Sequence, residues 1–172
     1  MHLPTRRFAR RAIVGASLAA ALALPATALA ATIDGTAGPD TLNGAATADT
    51  IHGRGAGDTI NGRAGADDLF GNGGKDTIHG NGGADTISGG RGADTIQGNA
   101  GNDSIKGGPG ADTIDGNGGA DTISGGSGND VIVTGGDNRA DVIDCGAGWD
   151  VVVAGSNDTV APNCERTVIV ED

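Results

Sequence analysis

The 172-residue chain has almost no aromatic residues, and this scarcity excludes an ordinary globular core. It contains one Trp, two Phe and no Tyr, at Trp149, Phe8 and Phe70. Aromatic side chains normally supply much of the area buried in a core. The chain has instead 34 Gly residues, which bury little surface but allow the backbone to turn sharply.

The sequence also lacks a recognisable catalytic constellation. It has no G-x-S-x-G segment, the turn that presents a nucleophilic Ser in many hydrolases. His52 and His79 lie outside any H-E-x-x-H pattern, which excludes the common zinc-protease motif, and we expect both on a solvated surface. We therefore predict that the protein is not an enzyme.

Basic residues are scarce outside the first 30 residues. Without that segment the chain has 7 basic and 22 acidic side chains, a net charge of −15. Such a surface repels a phosphate backbone, so nucleic acid is excluded as a partner. Self-repulsion of this size also opposes compaction. The chain is therefore either disordered or neutralised by bound cations.

Residues 1–30 have the composition of an export signal. Arg6, Arg7, Arg10 and Arg11 form a positive region, residues 12–25 are rich in Ala and Leu, and residues 28–30 read A-L-A, a cleavage pattern. The apolar stretch is short and Ala-rich for a membrane-spanning helix. We predict cleavage, secretion to the extracellular space or cell surface, and no stable membrane insertion. A retained anchor is the alternative, and the Sec and twin-arginine routes both stay open.

Cysteine is nearly absent, with Cys145 and Cys164 the two residues of this type. An even number in an exported protein favours a disulfide, and closing a loop of this length contributes about 3 kcal/mol of stability. Two free thiols are the alternative. A zinc site is not expected, because two sulfurs without a pair of His residues make an incomplete ligand set.

What the sequence does contain is an Asp at every ninth position, with Leu or Ile two residues later. Residues 89–97 read G-G-R-G-A-D-T-I-Q, residues 107–115 read G-G-P-G-A-D-T-I-D, and residues 125–133 read G-G-S-G-N-D-V-I-V. Each triplet after the Asp alternates polar, apolar and polar, which is typical of a half-buried strand. We call the following the ladder Asp residues: Asp40, Asp49, Asp58, Asp67, Asp76, Asp85, Asp94, Asp103, Asp112, Asp121 and Asp130.

This pattern resembles the RTX (haemolysin-type) calcium-binding nonapeptide repeat over about 100 residues, from Gly35 to Val133. The resemblance implies an all-β fold, a right-handed parallel β-roll in which two repeats form one 18-residue coil. Each repeat is expected to comprise a six-residue turn and a three-residue strand, which gives about six coils. The predicted domains are an export signal at 1–30, the roll at 31–133 and a C-terminal capping region at 134–172.

Coils of 18 residues place alternate repeats in two different sheets. One sheet is predicted to stack Leu42, Ile60, Ile78, Ile96, Ile114 and Ile132. The other is predicted to stack Ile33, Ile51, Leu69, Ile87, Ile105 and Ile123. Ile33 lies nine residues before Leu42 and follows Thr32, as in later repeats. The roll is therefore expected to begin directly after the cleavage site.

In the family, calcium lies between the turns of successive coils, held by two Asp carboxylates and by carbonyl groups of the glycine-rich positions. Carried over here, Asp76 and Asp94 would share one ion, and Asp85 and Asp103 another on the opposite edge, with at most about nine sites in all. The ladder Asp residues would supply the carboxylates. The glycine positions are Gly71, Gly73, Gly74, Gly80, Gly82, Gly83, Gly89, Gly90, Gly92, Gly107, Gly108, Gly110, Gly116, Gly118, Gly119, Gly125, Gly126 and Gly128.

An all-oxygen ligand set favours calcium over magnesium, zinc or copper. Stacked carboxylates repel one another without a cation, so we predict that the roll folds on calcium binding. Thr47 and Ala56 replace Gly in the turns before Asp49 and Asp58, so these sites are expected to be weaker. A disordered glycine-rich linker is the alternative, but the apolar residue at every ninth position argues against it.

The nine-residue spacing ends after the last ladder Asp, and the region that follows is predicted to cap the roll. Asp141 comes 11 residues later, and the turns lose Gly. An open solenoid end exposes strand edges, so we expect the disulfide and residues 168–170 to close it, with Trp149 in the core of the cap. Asp141 and Asp150 are weaker candidates for calcium binding.

A second class of function comes from Thr residues that recur on one sheet at every coil, at Thr41, Thr59, Thr77, Thr95 and Thr113. Such a flat face is a candidate to bind ice, glycan or cell wall, as in a calcium-dependent adhesin-like module. The simpler interpretation is the β-propensity of Thr on an exposed surface. The main prediction is therefore an exported, non-enzymatic calcium-binding roll, without an assigned protein or surface partner.

Overall fold

The computed structural model describes residues 11–13 and 29–171, which form a parallel β-solenoid of about eight turns without a helix. The predicted all-β solenoid is confirmed. The strands are β1 (Arg11–Ile13), β2 (Thr32–Asp34), β3 (Thr41–Asn43), β4 (Thr50–Gly55), β5 (Thr59–Ala64), β6 (Asp68–Gly73), β7 (Thr77–Gly82), β8 (Thr86–Arg91), β9 (Thr95–Ala100), β10 (Ser104–Pro109), β11 (Thr113–Gly118), β12 (Thr122–Ser127), β13 (Val131–Val133), β14 (Val142–Ala147), β15 (Val151–Gly155), β16 (Thr159–Val160) and β17 (Arg166–Val170).

Successive strands alternate between two sheets, and every strand pairing is parallel. Sheet A has the order β1-β2-β4-β6-β8-β10-β12-β14-β16, and sheet B has the order β17-β15-β13-β11-β9-β7-β5-β3. Leu42 aligns with Ile60 in sheet B, and Ile33 aligns with Ile51 in sheet A. Both predicted apolar stacks are therefore confirmed, and the roll includes Ile33 as expected.

The strands within the repeats are longer than the sequence predicted. Most have six residues instead of three, and only a three-residue link joins β9 to β10. The reason is that the glycine-rich half of each repeat also pairs with the next coil, as Asn99 does with Asn117 and Ala100 with Gly118. A strict 18-residue period places both halves of the repeat in register, so backbone hydrogen bonds extend into the segment expected to be a turn.

The core is a double row of aliphatic side chains, one from the second position of each strand. Ile60, Ile78 and Ile96 are fully buried in sheet B, and Ile51 and Leu69 are fully buried in sheet A. Burying one such side chain contributes about 1.5–3 kcal/mol, so the repeated Ile compensates for the missing aromatic residues. This narrow core fixes which strand face points inward and thereby positions the ladder Asp residues.

The solenoid has about eight turns, not the six expected, because the C-terminal region continues the same stack. In sheet A, Thr122 aligns with Val142 across a 20-residue coil, and Val142 aligns with Thr159. The two additional residues lie in the link between β13 and β14. The region after 133 is thus solenoid in its own right, with irregular coil lengths.

The C-terminal end contains the predicted disulfide but not the predicted aromatic core. Cys145 and Cys164 are bonded, with their Cα atoms 5.3 Å apart, and Cys145 is fully buried. Trp149 is 66% exposed, so its assignment to the core of a cap was wrong. It lies in the turn that precedes β15, where the side chain points away from the narrow aliphatic core. Residues 166–170 form the last strand of sheet B, but residues 168–170 do not close the end as expected, since Ile169 is 56% exposed.

Most of the predicted export signal lies outside the described residues. Of residues 1–30, the structure describes 11–13 and 29–30, and Arg11–Ile13 pairs with Thr32–Asp34 at the end of sheet A. The export and cleavage predictions are therefore still predictions. Within residues 11–13 and 29–171 there is no helix of the length and apolarity that a membrane crossing requires.

Candidate metal centre

The ladder Asp residues lie where each turn ends and the next strand begins, with their side chains turned into the molecule. From Asp49 to Asp130 each is 2% exposed or less, and Asp76 is completely buried. Asp40, in the first turn, is only partly buried. The apolar residue two positions later anchors the strand, and the alternation of side chains along it places the Asp on the same inward face. A row of buried carboxylates therefore runs along each edge of the roll.

One oxygen of each carboxylate holds two coils together. The backbone N–H of Asp76 donates to Oδ1 of Asp94 at 2.8 Å, and the N–H of Asp85 donates to Oδ1 of Asp103 at 2.8 Å. The same bond recurs along both edges at 2.7 to 2.9 Å. The Asp pairs that the sequence analysis assigned to common sites are thus adjacent in the fold.

The second carboxylate oxygen is buried and has no hydrogen-bond partner at most rungs of the ladder. An unsatisfied buried oxygen of this kind is costly, on the order of 1–3 kcal/mol and more for a charged group. The residues with such an Oδ2 are Asp58, Asp67, Asp76, Asp85, Asp94, Asp103, Asp112, Asp121, Asp130 and Asp150. A repeated orphan acceptor calls for a repeated cation or proton, since neither backbone nor side chain supplies a donor.

A backbone carbonyl oxygen converges with this orphan oxygen beside the first glycine of most open turns. A Cβ added to Gly89 would lie 2.5 Å from Oδ2 of Asp94 and 2.8 Å from the carbonyl oxygen of Gly107 in the next coil. At Gly80 the corresponding distances are 2.5 Å to Asp85 Oδ2 and 2.7 Å to the Gly98 oxygen. Only glycine therefore fits where these two oxygen atoms approach the backbone, and oxygen atoms are the ligands that a hard cation such as calcium prefers.

The turns with an orphan Oδ2 share one backbone feature, and we call them open turns. The residue four positions before the Asp has a positive φ in each of them, for example Gly90 at 105° and Asn81 at 75°. Gly and Asn tolerate this conformation. The residues concerned are Arg54, Arg63, Asn72, Asn81, Gly90, Asn99, Gly108, Asn117, Gly126 and Gly146.

The two first turns are closed instead. The N–H of Ala45 donates to Oδ2 of Asp49 at 2.6 Å, and the N–H of Thr36 donates to Oδ2 of Asp40 at 2.5 Å. Neither Ala45 nor Thr36 is among the residues with positive φ, a conformation that is unfavourable for a β-branched side chain. In the closed turns the protein itself satisfies the oxygen that is an orphan elsewhere.

The turns before Asp49 and Asp58, which were both expected to form weaker sites, therefore differ in structure. Thr47 occupies the glycine position before Asp49, and that turn is closed. Ala56 occupies the same position before Asp58 but adopts a φ of 70°, and that turn is open. Ala56 thus adopts a backbone conformation that is unfavourable for Ala. Asp58 resembles the later ladder Asp residues, because its Oδ2 is buried without a donor.

Burial raises the pKa of the ladder carboxyls. It raises the pKa of Asp58 and Asp112 from 3.8 to about 6 and that of Asp121 to about 7, against the lowering effect of the backbone hydrogen bond. The charges of neighbouring rungs raise it further. The pKa is raised, mainly by burial, also for Asp67, Asp76, Asp85, Asp94, Asp103 and Asp130. Ionisation of the ladder carboxyls therefore destabilises the metal-free fold.

A comparison with protein families matches this region to the RTX calcium-binding nonapeptide repeat. Overlapping matches cover residues 27–60, 43–78, 52–87, 61–96, 79–114, 97–132 and 106–139. The chain belongs to the RTX calcium-binding repeat family. No curated protein matched the sequence.

The carboxylate ladder extends beyond the matched RTX repeats, through Asp141 and Asp150, the weaker candidates, and on to Asp158 and Glu165, which were not predicted. The N–H of Asp130 donates to Asp150 Oδ1 at 2.8 Å, and the N–H of Asp150 donates to Oε2 of Glu165 at 2.8 Å. On the other edge, the N–H of Asp121 donates to Asp141 Oδ1, and that of Asp141 to Asp158 Oδ1. The spacings of 20, 17 and 15 residues concealed this continuation from a search for a nine-residue period.

The turn before Asp150 differs from the RTX turns at its first position. It reads C-G-A-G-W-D, so Cys145 stands where the repeats have their first glycine. Asp158 has a different environment again, because Thr134 Oγ1 and the N–H of Gly155 donate to its Oδ2 at 2.8 Å and 2.7 Å. Only Asp158 thus has donors for its second oxygen, whereas Oδ2 of Asp150 is buried without one, as in the repeats.

The glycines predicted as ligand positions all lie in the open turns, although they do different things. The first glycine of each set, such as Gly71 or Gly89, borders the orphan oxygen. The last, such as Gly74 or Gly92, has a positive φ and lies so close to the previous coil that a Cβ would overlap a carbonyl group. Three further glycines, Gly53, Gly62 and Gly98, occupy the first-glycine position before Asp58, Asp67 and Asp103 and were not among the predicted ligand positions.

Side chains alone do not make the RTX sites. Among the described residues, no group of three or more His, Cys, Asp or Glu side chains is placed to hold a metal ion. Backbone carbonyl groups must therefore complete any coordination shell, as the glycine-rich turns allow. His52 stacks on Phe70, with ring centroids 4.8 Å apart, and is half-buried in its strand. It has no part in the ladder.

Proposed function

We propose that this protein is an exported, non-enzymatic calcium-binding RTX roll, whose folded state at neutral pH depends on calcium. The observation that carries the proposal is the row of buried carboxylate oxygens without a hydrogen-bond donor, repeated at every open turn. Calcium supplies positive charge to these oxygens and to the carbonyl groups beside them. The ion is then a structural component, and no catalytic step is assigned to it.

Calcium fits the donor set better than other common metals. Carboxylate and carbonyl oxygens suit hard cations, and a flexible glycine-rich shell suits the variable coordination of calcium more than the strict octahedron of magnesium. The converging oxygens beside Gly89, 2.5 Å and 2.8 Å from its missing Cβ, support a site of this kind. Extracellular calcium-binding modules commonly work at 10⁻⁴–10⁻³ M, on the order of magnitude available outside cells.

We assign calcium to the nine open turns inside the RTX repeats. The carboxylates concerned are Asp58, Asp67, Asp76, Asp85, Asp94, Asp103, Asp112, Asp121 and Asp130. Asp40 and Asp49 are left out because backbone N–H groups already occupy their second oxygens. Asp150 is left out because Cys145 replaces the glycine that borders the oxygen in the repeats.

Dependence of folding on calcium follows from charge. The unprotonated ladder places like charges in successive coils and removes them from water, which raises the pKa of carboxyls such as Asp121 to about 7. Binding of calcium to the folded state alone stabilises that state by mass action. The narrow core of one aliphatic side chain per strand has little excess stability to offset the unneutralised charge.

The test is a calcium titration of the purified chain, followed by circular dichroism and by direct measurement of bound calcium. We expect β structure to appear with calcium and about nine ions to bind, whereas magnesium at equal concentration has a much smaller effect. An unchanged spectrum together with no bound calcium would refute the proposal. A folded apo-protein that still binds calcium would refute only the folding dependence.

A second candidate function is supported by the column of Thr residues on the outer face of sheet B. Thr59, Thr77 and Thr95 align directly in successive strands, between Thr41 and Thr113. A regular row of hydroxyl and methyl groups is a candidate surface for ice, glycan or cell wall. The test is retention on these materials in calcium. Thr95→Lys should abolish retention while the circular dichroism is unchanged, and absence of retention by the wild type excludes this function.

A further inference from the structure

The last strand of sheet B has one free edge. Strand β17 pairs with β15 through the alignment of Arg166–Val170 with Val151–Gly155, and no other strand of the described chain adjoins it. Its five residues read R-T-V-I-V. An exposed edge of this length, free of Pro, Gly and Lys, is a ready template for another strand.

Two other ends of the sheets are poorly suited to pairing. In sheet A, β16 has only two residues and Pro162 follows shortly after it. In sheet B, the opposite end is β3, which has three residues and comes shortly after Pro39. Short edge strands and Pro are common means of blocking edge-to-edge association. Strand β17 lacks both forms of protection.

The core of the roll is also open at this end. Thr167 aligns with Val152 and Ile169 aligns with Ala154, and both partners are completely buried core residues. Ile169 therefore occupies an inward position, yet it is 56% exposed because no further coil covers it. Outward-facing Val168 is 41% exposed. A free edge and an uncovered core end thus coincide at the same strand.

The hydrogen bonds of β17 show which of its amide groups are free. The N–H of Arg166 donates to the carbonyl oxygen of Asp150 at 3.1 Å, toward the rest of the sheet. Because consecutive residues of a strand turn their amide groups to opposite sides, Thr167 and Ile169 present theirs at the free edge. In an antiparallel pair, residues that exchange both bonds lie directly opposite one another. Ile169 can therefore lie opposite Ile169 of a second copy.

We propose that β17 pairs antiparallel with β17 of a second copy of this chain around a two-fold axis at Ile169. Val168 of each copy then lies opposite Val170 of the other, and the two Ile169 side chains close the open core ends. The same register places Arg166 opposite Asp172 of the second copy. The interface is self-complementary, as two-fold symmetry requires.

Charge selects this register over its neighbour. An axis at Val168 would also satisfy the alternation of amide groups, but it would place Glu165 opposite Glu171. Like charges directly opposite one another destabilise a strand pair. The axis at Ile169 avoids that contact and gives Arg166 an opposite charge. The second copy is therefore a better occupant than an unrelated strand without a matching charge pattern.

The test is sedimentation equilibrium of the purified chain in millimolar calcium over a range of concentrations. We expect a monomer–dimer equilibrium for the wild type and a monomer for Ile169→Lys. Val142→Lys is the matched control, because Val142 is 50% exposed on the outer face of sheet A, and it should dimerise as the wild type does. Circular dichroism and calcium binding establish that each variant is folded.

Charge reversal gives a second comparison. Arg166→Glu should weaken the dimer at least about tenfold, whereas Arg91→Glu, at another exposed position, should leave it unchanged. A wild type that stays monomeric up to its solubility limit would overturn the proposal. So would open-ended filaments, which indicate head-to-tail association, or a dimer that persists in folded Ile169→Lys.

Discussion

The N–H of Asp76 donates a 2.8 Å hydrogen bond to Oδ1 of Asp94, and Oδ2 of the same carboxylate is buried without a partner. One oxygen therefore joins two coils through the backbone, while the other requires a cation or a proton. This division explains how a ladder of like charges is compatible with a regular roll. The Oδ1 bonds join successive coils, and we expect neutralisation of Oδ2 to decide whether the roll is stable.

The calcium-free chain should become more folded as the pH is lowered. The pKa of Asp58 and Asp112 is about 6 and that of Asp121 about 7 in the fold, against 3.8 ordinarily. The folded state thus binds protons more tightly than the unfolded state. Its stabilisation by protons is complete below about pH 4 and is lost as the pH rises through about 6 to 7. Circular dichroism in a chelator should follow this course.

Bound calcium should reverse the pH dependence expected for folding of the calcium-free chain. Calcium binds the ionised carboxylates, so protons compete with it and its apparent affinity should fall as the pH falls through the same range. The measurement is a calcium titration at several pH values with a fixed ionic strength. A calcium affinity that rises on acidification would contradict the assignment of the ladder carboxylates as ligands.

Asp67→Asn and Asp68→Asn provide a matched test of the ladder, since both remove one negative charge from adjacent positions. Asp67 is 1% exposed with an orphan Oδ2, whereas Asp68 lies exposed on the outer face of sheet A. Asp67→Asn should lower the number of bound calcium ions by about one and stabilise the calcium-free roll at neutral pH, because a buried charge is removed. Asp68→Asn should change neither quantity, as equilibrium dialysis can establish.

The closed and open turns predict different results for two other neighbouring rungs. Asp49 Oδ2 accepts the N–H of Ala45 at 2.6 Å, whereas Asp58 Oδ2 has no donor. Asp58→Asn should therefore reduce the bound calcium by one ion, and Asp49→Asn should leave the count unchanged. If Asp49→Asn also removes an ion, the geometric distinction between the two kinds of turn does not determine binding.

The disulfide should stabilise the last coils without contributing to calcium binding. Cys145 and Cys164 join successive coils of the C-terminal region, and loss of such a link costs about 3 kcal/mol. The double variant Cys145→Ser, Cys164→Ser should melt at a lower temperature in calcium, with an unchanged number of ions. The reduced wild-type protein serves as control and should behave alike. A loss of calcium ions in either would place a site at the turn that contains Cys145.

The sequence was sufficient to predict the sheets and the ladder because both repeat at a constant period. Ile78 and Asp76 recur at fixed distances from their counterparts, and the resemblance to the RTX repeat implied that two repeats form one 18-residue coil of a two-sheet roll. Asp150 was predicted as a weaker candidate, but the continuation to Asp158 and Glu165 was not, because spacings of 17 and 15 residues break the period while the stack persists. The differences in coil length lie in the links between strands, so they leave no periodic pattern in the sequence.

Two other features depend on three-dimensional geometry that residue types do not specify. Ala56 adopts a φ of 70° and keeps its turn open, although Ala at a glycine position indicates a degraded turn. Trp149 is exposed although a large apolar residue near a disulfide indicates a core. Trp149 directly precedes Asp150, and the corresponding residues of the repeats, such as Ala84 and Ala111, are exposed too.

Gly74→Ala and Gly73→Ala test the close approach of successive turns at adjacent positions. Gly74 has a φ of 135°, and a Cβ there would overlap the carbonyl group of Ala56; at Gly73 the nearest atom to a Cβ is the Arg54 oxygen at 3.8 Å. Gly74→Ala should cost about 1–2 kcal/mol for the backbone conformation alone, and more for the overlap. Gly73→Ala should change the unfolding free energy little, because Ala fits there. Urea unfolding in saturating calcium measures both, and equal losses would contradict the close approach of the two turns as the reason for glycine at this position.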